Sequence, residues 1–438
     1  MKKITSTLLA AAIALGTLAG CGGSQGTPGE SGGDENGKSN RLVIWSQMNE
    51  GEPVGMWQKA IVDRFQAENP DIEVEFQFCG REILTQFQTK LNDKDSESFP
   101  DLVIQMSGTM IPLAKEGLFE PLDEAFATPA YDSDKNWGDT FIPKLLESTQ
   151  VEGKHYFVPE SIYTHGFFYD ETMFQRLGLS VPKTWEELLN VCETLKANGI
   201  APITLDGTLD VYNEWWFIRF AERLAGPDQL DKAAKGELSF KDDPKFLEAA
   251  QYVHTFVEKG YFQNGYEGSV FPAAQALFTQ GKAGMLFCGA WIPSEMESQT
   301  PPDMKMKMFS LPVLPNSASE RHEEIWANSY AVTKDSKNKE NAIAFLKLYS
   351  SMSVQEDKAK LKNPSALVDG PVVPELANLA QLVGDATTTS TTYNGLALYG
   401  DWFKNVLGPI STELMTGKLT PEQYIDKLDT ATKDYYMK

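Results

Sequence analysis

The chain has 438 residues, 61 acidic against 39 basic side chains, a net charge of −22 and only 4 cysteines. That length exceeds what one typical core organises and points to two lobes or more. The acidic balance argues against nucleic acid or an anionic membrane surface as partner, because both require a basic face.

From the start of the chain, Lys2 and Lys3 precede an Ala/Leu-rich stretch, residues 8–20, that is too short to span a bilayer as a resident helix. It reads as a secretory signal over residues 1–20. Leu18, Ala19, Gly20 and Cys21 resemble the bacterial lipobox, in which the cysteine takes a diacylglycerol and becomes the first mature residue. Residues 21–40 are rich in Gly, Ser, Asp and Glu, with no large apolar side chain until Leu42. Such a segment buries nothing that could offset its ordering entropy, so it is expected to act as a leash with a reach of about 25 Å. The other cysteines, Cys79, Cys192 and Cys288, are far apart and odd in number, which makes buried free thiols the default.

The body opens on "RLVIW", an apolar run suited to a buried strand, and continues into Trp57, Ile61 and Phe65 at helical spacing, stopping at Asn69-Pro70. "IEVEFQF" alternates as a strand, "REILTQFQTKL" returns to helical spacing, and "PDLVIQM" is another apolar strand. Strand, helix, strand, helix, strand implies a parallel sheet covered by helices, with ligands beyond the carboxyl ends of the strands. Residues 45–49, 80–82 and 106–109 occupy those ends. Further on, "SVPKTWEEL" places Thr184 as an N-cap with Glu187 three residues later, a capping box. "GKAGMLF" turns between glycines into an apolar strand that delivers Gly289, Ala290 and Trp291 at its end, where a backbone can approach a ligand.

"EGLFEPLDE", "VEGKHYFVPESIYTHGFFYDETMFQRLGLSVPKTWEELL", "AAQALFTQGKAGMLFCGAWIPSEM" and "YAVTKDSKNKENAIAFLKLYSS" resemble, in order and spacing, the extracellular solute-binding proteins of family 1. These are the carbohydrate-capturing lipoproteins of ABC importers, of the maltose-binding-protein type. The resemblance covers the chain from about Arg41 onward; "WANSYAV" departs from it where many relatives carry a glycine pair. It implies an α/β, two-lobed periplasmic-binding-protein-like (type II) fold with a ligand cleft between lobes. One lobe would take residues 41–158 and 310–349, the other 159–309 and 350–438. It also implies ligand contacts at Tyr212 and Asn213, at Tyr163, and at Trp291 as the stacking tryptophan.

The 9 tryptophans divide by position. Trp57, Trp137 and Trp185 lie away from strand ends and read as packing residues. Trp45, Trp215, Trp291, Trp326 and Trp402 are candidate platforms, because sugars present flat C–H faces that stack on rings while their hydroxyls seek planar polar groups. Trp216 forms a core stripe with Phe220 and Leu224, leaving Trp215 toward the ligand. Ser46, Gln47, Arg81, Glu82 and Ser107 follow predicted strands and are the candidate polar partners.

A hydrolase needs two carboxyls at fixed separation, and Glu82, Glu160 or Glu214 could supply them. The chain has no GxSxG, HExxH or P-loop. "DSDKNWGD" from Asp132 starts like a calcium loop but carries Trp137 where glycine is needed, so no metal and no cofactor are expected. The expectation is therefore a monomeric, lipid-anchored binding protein, not an enzyme, on the outer face of the cell membrane, more in keeping with a Gram-positive envelope than a periplasm. It would pass a carbohydrate of more than one ring to the transmembrane subunits of an ABC permease driven by a cytoplasmic ATPase. The alternatives are the same fold holding a polyamine or glycerol phosphate, or a cell-surface glycosidase.

Overall fold

The computed structural model describes residues 40–318, 320–391 and 400–437. The signal segment, Cys21 and the leash through Ser39 lie outside them.

Three short apolar strands, β1 (Arg41–Ser46), β2 (Glu73–Phe78) and β3 (Leu102–Met106), run parallel, with Ile44 opposite both Phe76 and Leu102. The helix Pro53–Glu68 between β1 and β2 buries Trp57, Ile61 and Phe65 on one face, as their spacing predicts. In the helix Ile83–Lys90, Ile83 and Phe87 are the buried positions. β2 is an edge strand, so its side chains are only partly covered.

The hairpin β4 (Gln150–Val151) with β5 (Lys154–His155) leads into β6 (Phe157–Pro159). The sheet order is β2-β1-β3-β12-β6, where β12 (Asn328–Val332) is antiparallel to both neighbours and pairs Tyr330 with Ile104 and Val158. A strand from late in the chain thus sits inside the first lobe's sheet. The second lobe is built on β10-β7-β9-β8, comprising β7 (His165–Asp170), β8 (Ala201–Thr204), β9 (Ala283–Gly289) and β10 (Met306–Phe309). A small pair, β11 (His322–Glu324) with β13 (Thr388–Ser390), adjoins it.

The helix Trp185–Ala197 starts at Thr184, whose Oγ1 accepts from Glu187 N at 3.3 Å. Glu187 reaches back to the N–H of Lys183 (2.6 Å), one residue earlier than a capping box requires. The helix Asp210–Leu224 is anchored at its far end by buried ion pairs: Arg219 with Glu222 (2.9 Å) and Glu323 (3.1 Å), and Arg223 with Glu323 (2.9 Å). Each guanidinium contacts a carboxylate, as charges this deep require.

Among the described residues the lobes are joined by three stretches of chain. Residues 160–164 leave β6 for β7, residues 325–327 return from β11 to β12, and the two run antiparallel, with Tyr163 and Trp326 exchanging backbone hydrogen bonds of 2.8 and 3.1 Å. The third passes after Leu367, which still pairs with Phe141, and reaches the second lobe by Pro374, whose carbonyl accepts from Lys307 Nζ at 2.7 Å. The return therefore lies later than the expected boundary after residue 309, because Ser310 and Val313 are bonded to Arg223 and Trp185 of the second lobe. The boundary after residue 349 also moves: Trp137 Nε1 donates to Ser350 Oγ (2.7 Å) and Ile142 N to Ala366 O (2.9 Å), which hold this stretch on the first lobe.

One side chain ties the first of these stretches to the first-lobe segment that leads into the third. Lys358 Nζ, buried, donates to Glu160 O, to Ser161 Oγ (2.6 Å) and to Pro364 O (3.2 Å). Asn363 Oδ1 accepts from both Ser161 Oγ and Tyr163 OH at 3.1 Å. Among the described residues no helix is long and apolar enough to cross a membrane.

Candidate functional site

Several elements end at the same place, and each brings an aromatic ring. The first crossing stretch carries Tyr163 and runs into His165; the second carries Trp326; the end of β9 carries Trp291; the first turns of the helix Asp210–Leu224 carry Tyr212 and Trp215. Trp291 is the hub, with ring centroids 5.7 Å from Trp215 and His165, 5.8 Å from Trp326 and 6.2 Å from Tyr163. Most of its contacts are tilted or edge-on, and it stays half-buried while Tyr163, Trp326 and His165 are buried. Gly289 makes this possible: a Cβ there would lie 1.7 Å from Trp291 Cζ3. The glycine at the strand end thus admits a tryptophan ring, where the sequence suggested approach of a ligand to the backbone.

Trp215 is placed differently from expectation. His165 packs on it at 4.3 Å and Tyr212 at 4.5 Å, both tilted, and it is only 4 % exposed, so no open face remains for a ligand. The outer ring on this side is half-buried Tyr212. Its hydroxyl and the Cys288 thiol lie together, and burial pushes the ionisation of both well up. His165 is fixed from behind by Glu324 (Nδ1 to Oε2, 2.7 Å).

Two carboxylates complete this wall, neither singled out from the sequence. Burial raises the Glu295 carboxyl, the Gln275 and Trp291 side chains beside it oppose the rise, and the charge of Glu52, reaching over from the first lobe, adds to it. Asp206, fully buried just beyond β8, accepts from Ser269 Oγ (2.7 Å) and Ala274 N (3.0 Å) through Oδ1, while Oδ2 has no partner among the described residues. The strand-end rule applied to β8 would have found Asp206. Glu295, in a short helix after β9, carries no such signal.

The first lobe's strand ends form the facing wall, and most of their polar groups are engaged locally. Gln47 Nε2 donates to Asn328 Oδ1 (2.8 Å), and Ser107 donates from N (3.0 Å) and Oγ (3.4 Å) to Ala327 O, so both brace the strand that bears Trp326. Ser46 is fully buried and donates to Gln58 Oε1 (2.7 Å), which makes it a support rather than a contact. Arg81 holds the Gln47 carbonyl and Glu52 (2.9 Å) at the rim. Glu82 is exposed at the start of the helix Ile83–Lys90. Trp45 packs with Val43, Ile83 and Phe87 in the first lobe's core, its buried Nε1 without an acceptor among the described residues.

Two expected contacts are taken up by the fold. Trp402 is 0 % exposed and donates from Nε1 to Thr432 Oγ1 (3.1 Å), a core ring of the C-terminal helices. Asn213, also 0 % exposed, donates to Gly207 O and Thr412 Oγ1, each at 2.9 Å, and so ties its helix to the C-terminal region. Polar side chains followed by a helix look alike in sequence whether they point into a cleft or between helices.

The carboxyls weighed for hydrolysis lie in three unlike settings. Glu82 is exposed; Glu160 is buried in the first crossing stretch, bonded to Gln58 (3.0 Å); Glu214 is buried in the helix Asp210–Leu224, close to Gly408. Burial raises the carboxyls of Glu160 and Glu214. In the stretch that starts like a calcium loop, Asp132 caps Met352 N (2.7 Å) and Lys135 pairs with Asp369 (3.0 Å). Cys79, Cys192 and Cys288 are free thiols.

The model of the bacterial extracellular solute-binding protein family matches residues 51–356. The galactooligosaccharide-binding protein of Bacillus subtilis is 23% identical over 442 residues, spanning 99% of this chain and 97% of that protein. The diacetylchitobiose binding protein of Streptomyces coelicolor is 24% identical over 294 residues, 64% of this chain and 62% of its own length. Among solved structures, a sugar transporter of Bacillus licheniformis in complex with stachyose superposes with a TM-score of 0.68 at 20% identity, covering 89% of this chain and 98% of that one. At that identity the likeness concerns the fold.

Proposed function

Since the chain belongs to the bacterial extracellular solute-binding proteins, we propose that it captures a carbohydrate in the cleft between its lobes and delivers it, unaltered, to an ABC permease. The observation that carries this is the ring wall: Trp291 half open at the centre, Tyr163 and Trp326 behind it, Tyr212 at the edge. Stacked rings offer the apolar face of a sugar a platform, and polar groups at the margin meet its hydroxyls. Trp326 Nε1 and Asp206 Oδ2, buried behind the rings and without partners among the described residues, are polar groups that a ligand hydroxyl would satisfy on closure.

Closure about the three connecting stretches traps the ligand. In this proposal Cys21 anchors the protein as a lipoprotein monomer at the outer face of the membrane, and residues 22–40 act as the leash that keeps it near the transmembrane subunits and their ATPase. No chemistry is done on the sugar.

A second reading has its own observation. Glu295, beside Trp291, lies within range of the charge of Glu52, and two acidic groups there would suit a cationic solute such as a polyamine. Arg81, bound to Glu52 at 2.9 Å, offsets part of that charge and favours the carbohydrate. One thermal-shift screen separates the readings: neutral oligosaccharides, polyamines and glycerol phosphate are tested with the full chain, and the sugar is assayed afterwards. Stabilisation by a sugar recovered intact is the expected result. Stabilisation by a polyamine alone supports the second reading, and release of shorter sugars would overturn both.

A further inference from the structure

The ring wall does not stop at Tyr212. Phe271 lies 6.3 Å from Tyr212 with its ring edge-on (88°), and it is 43 % exposed; its neighbour Val270 is 63 % exposed. Exposure rises outward along one row, from Trp215, only 4 % exposed and 4.5 Å from Tyr212, through half-buried Tyr212 to Phe271.

An exposed apolar side chain by itself needs no explanation. Here the backbone that presents the pair is pinned on both sides. Ser269 Oγ and Ala274 N both donate to Asp206 Oδ1 (2.7 and 3.0 Å), Thr208 Oγ1 donates to Ser269 O (2.8 Å), and Ala273 N donates to Val270 O (3.0 Å). The carboxylate doing the pinning is itself fully buried beneath the wall. A loop free to relax would fold a phenylalanine inward; this one is held so that the ring stays out, next to the site's outermost half-buried ring. Contiguous exposed apolar surface at the rim of a cleft marks a place where a partner molecule is covered.

We propose that Phe271 is an outer stacking platform that extends the wall beyond Tyr212 and suits the site to an extended saccharide, with units past the first two lying over Phe271. This rests on the carbohydrate reading above and adds to it a class of ligand, chains of three or more units, and a residue that measures their length. Perpendicular to Tyr212 and 43 % exposed, the Phe271 ring keeps open surface for a sugar.

The test uses the full chain and four series of oligosaccharides, β-1,4-xylo-, chito-, malto- and the raffinose–stachyose series, from the shortest member upward. Thermal shift identifies which series the wild type binds, and calorimetry then gives Kd against length for wild type, Phe271→Ala, Phe271→Tyr and Trp291→Ala. The expected result is a loss of about five- to tenfold for the longer members in Phe271→Ala, with the disaccharide changed by less than about twofold, as one ring contact implies. Phe271→Tyr should restore the longer members, and Trp291→Ala should weaken every length. An equal loss at all lengths would show that Phe271 acts only by propping Tyr212, and no loss at any length would leave it no role in binding; either overturns the platform while leaving the carbohydrate reading standing. Failure of the wild type to bind any series overturns both.

Discussion

The two walls of the cleft are built by different means. On the second lobe and the crossing strands the groups are rings, packed at centroid distances of 4.3 to 6.2 Å around Trp291 and Trp215. On the first lobe they are polar side chains at strand ends, and Ser46, Gln47 and Ser107 already have partners at 2.7 to 3.4 Å. A ring can pack against its neighbours and still offer a face, whereas a polar group bonded within the protein has to share or exchange its partner. Affinity should therefore concentrate on the aromatic wall, and the polar wall should act mostly by holding the crossing strands in place.

That contrast requires walls held in fixed relation by the crossing stretches, and Lys358 is where it breaks hardest. Removing its ammonium in Lys358→Met leaves Glu160 O, Ser161 Oγ and Pro364 O short of a donor and the Glu160 carboxyl without its cation. A loss of about 3–5 kcal/mol is expected in urea unfolding, in line with breaking a buried pair. The same residue gives a pH signature. Burial lowers Lys358 from 10.5 to about 8, with the charge of Glu160 opposing. Between those values the unfolded chain holds a proton that the folded chain has lost, so stability rises with pH across that window. Tyr330 and Tyr349 beside Glu160 are pushed well above their ordinary value and oppose the rise only where unfolded tyrosine ionises, near pH ~10. Melting temperatures from pH ~8 to ~9.5 should climb in the wild type relative to Lys358→Met, a window set by those ionisations; parallel profiles would remove the ammonium from this account.

On the aromatic wall, Trp291→Ala should weaken the sugar by about 2–3 kcal/mol, a larger effect than on the unliganded melting temperature, because the ring is only partly buried. Gly289→Ala should reproduce much of that loss with the tryptophan still present, since its Cβ would displace the ring from 1.7 Å. Calorimetry and tryptophan emission check the pair. A large fall in the free protein's stability would make Trp291 part of the core.

On the polar wall, Gln47→Ala removes one neutral hydrogen bond to Asn328, 2.8 Å long. About 1 kcal/mol of binding should be lost, through a less firmly braced Trp326. A loss matching that of Trp291→Ala would erase the distinction between the walls.

The lobes were legible in the sequence because alternation of strand and helix is a local property: Trp57, Ile61 and Phe65 declare a buried helical face whatever lies beyond it. The place of Trp291 at the end of β9 could be read from its glycine-bordered strand and from the family resemblance together, and Tyr163 was named by the resemblance alone. Trp402 and Trp215 were not legible, because what distinguishes a platform from a core ring is what covers its faces, and the covering groups, Thr432 for one and His165 with Tyr212 for the other, come from other elements. The exact crossing points were hidden for the same reason. Residues 310–324 and 350–367 are assigned by contacts with distant residues such as Arg223, Trp185, Trp137 and Ile142, which the sequence pattern does not reveal.

Trp326→Phe is the mildest change and the most diagnostic, because it should move stability and affinity in opposite directions. The ring is 8 % exposed and packs on Tyr163 at 4.7 Å, contacts a phenylalanine largely keeps. The indole N–H is buried with no acceptor among the described residues, and a donor left in that state costs the folded protein about 1–3 kcal/mol. Deleting it should leave the unliganded melting temperature unchanged or raise it. If a ligand hydroxyl is the missing acceptor, the same deletion should cost the complex roughly 1 kcal/mol, about fivefold in Kd. Falling affinity with steady or rising stability would mark the N–H as held for the ligand, whereas unchanged affinity would make Trp326 a packing ring whose unsatisfied donor the fold simply tolerates.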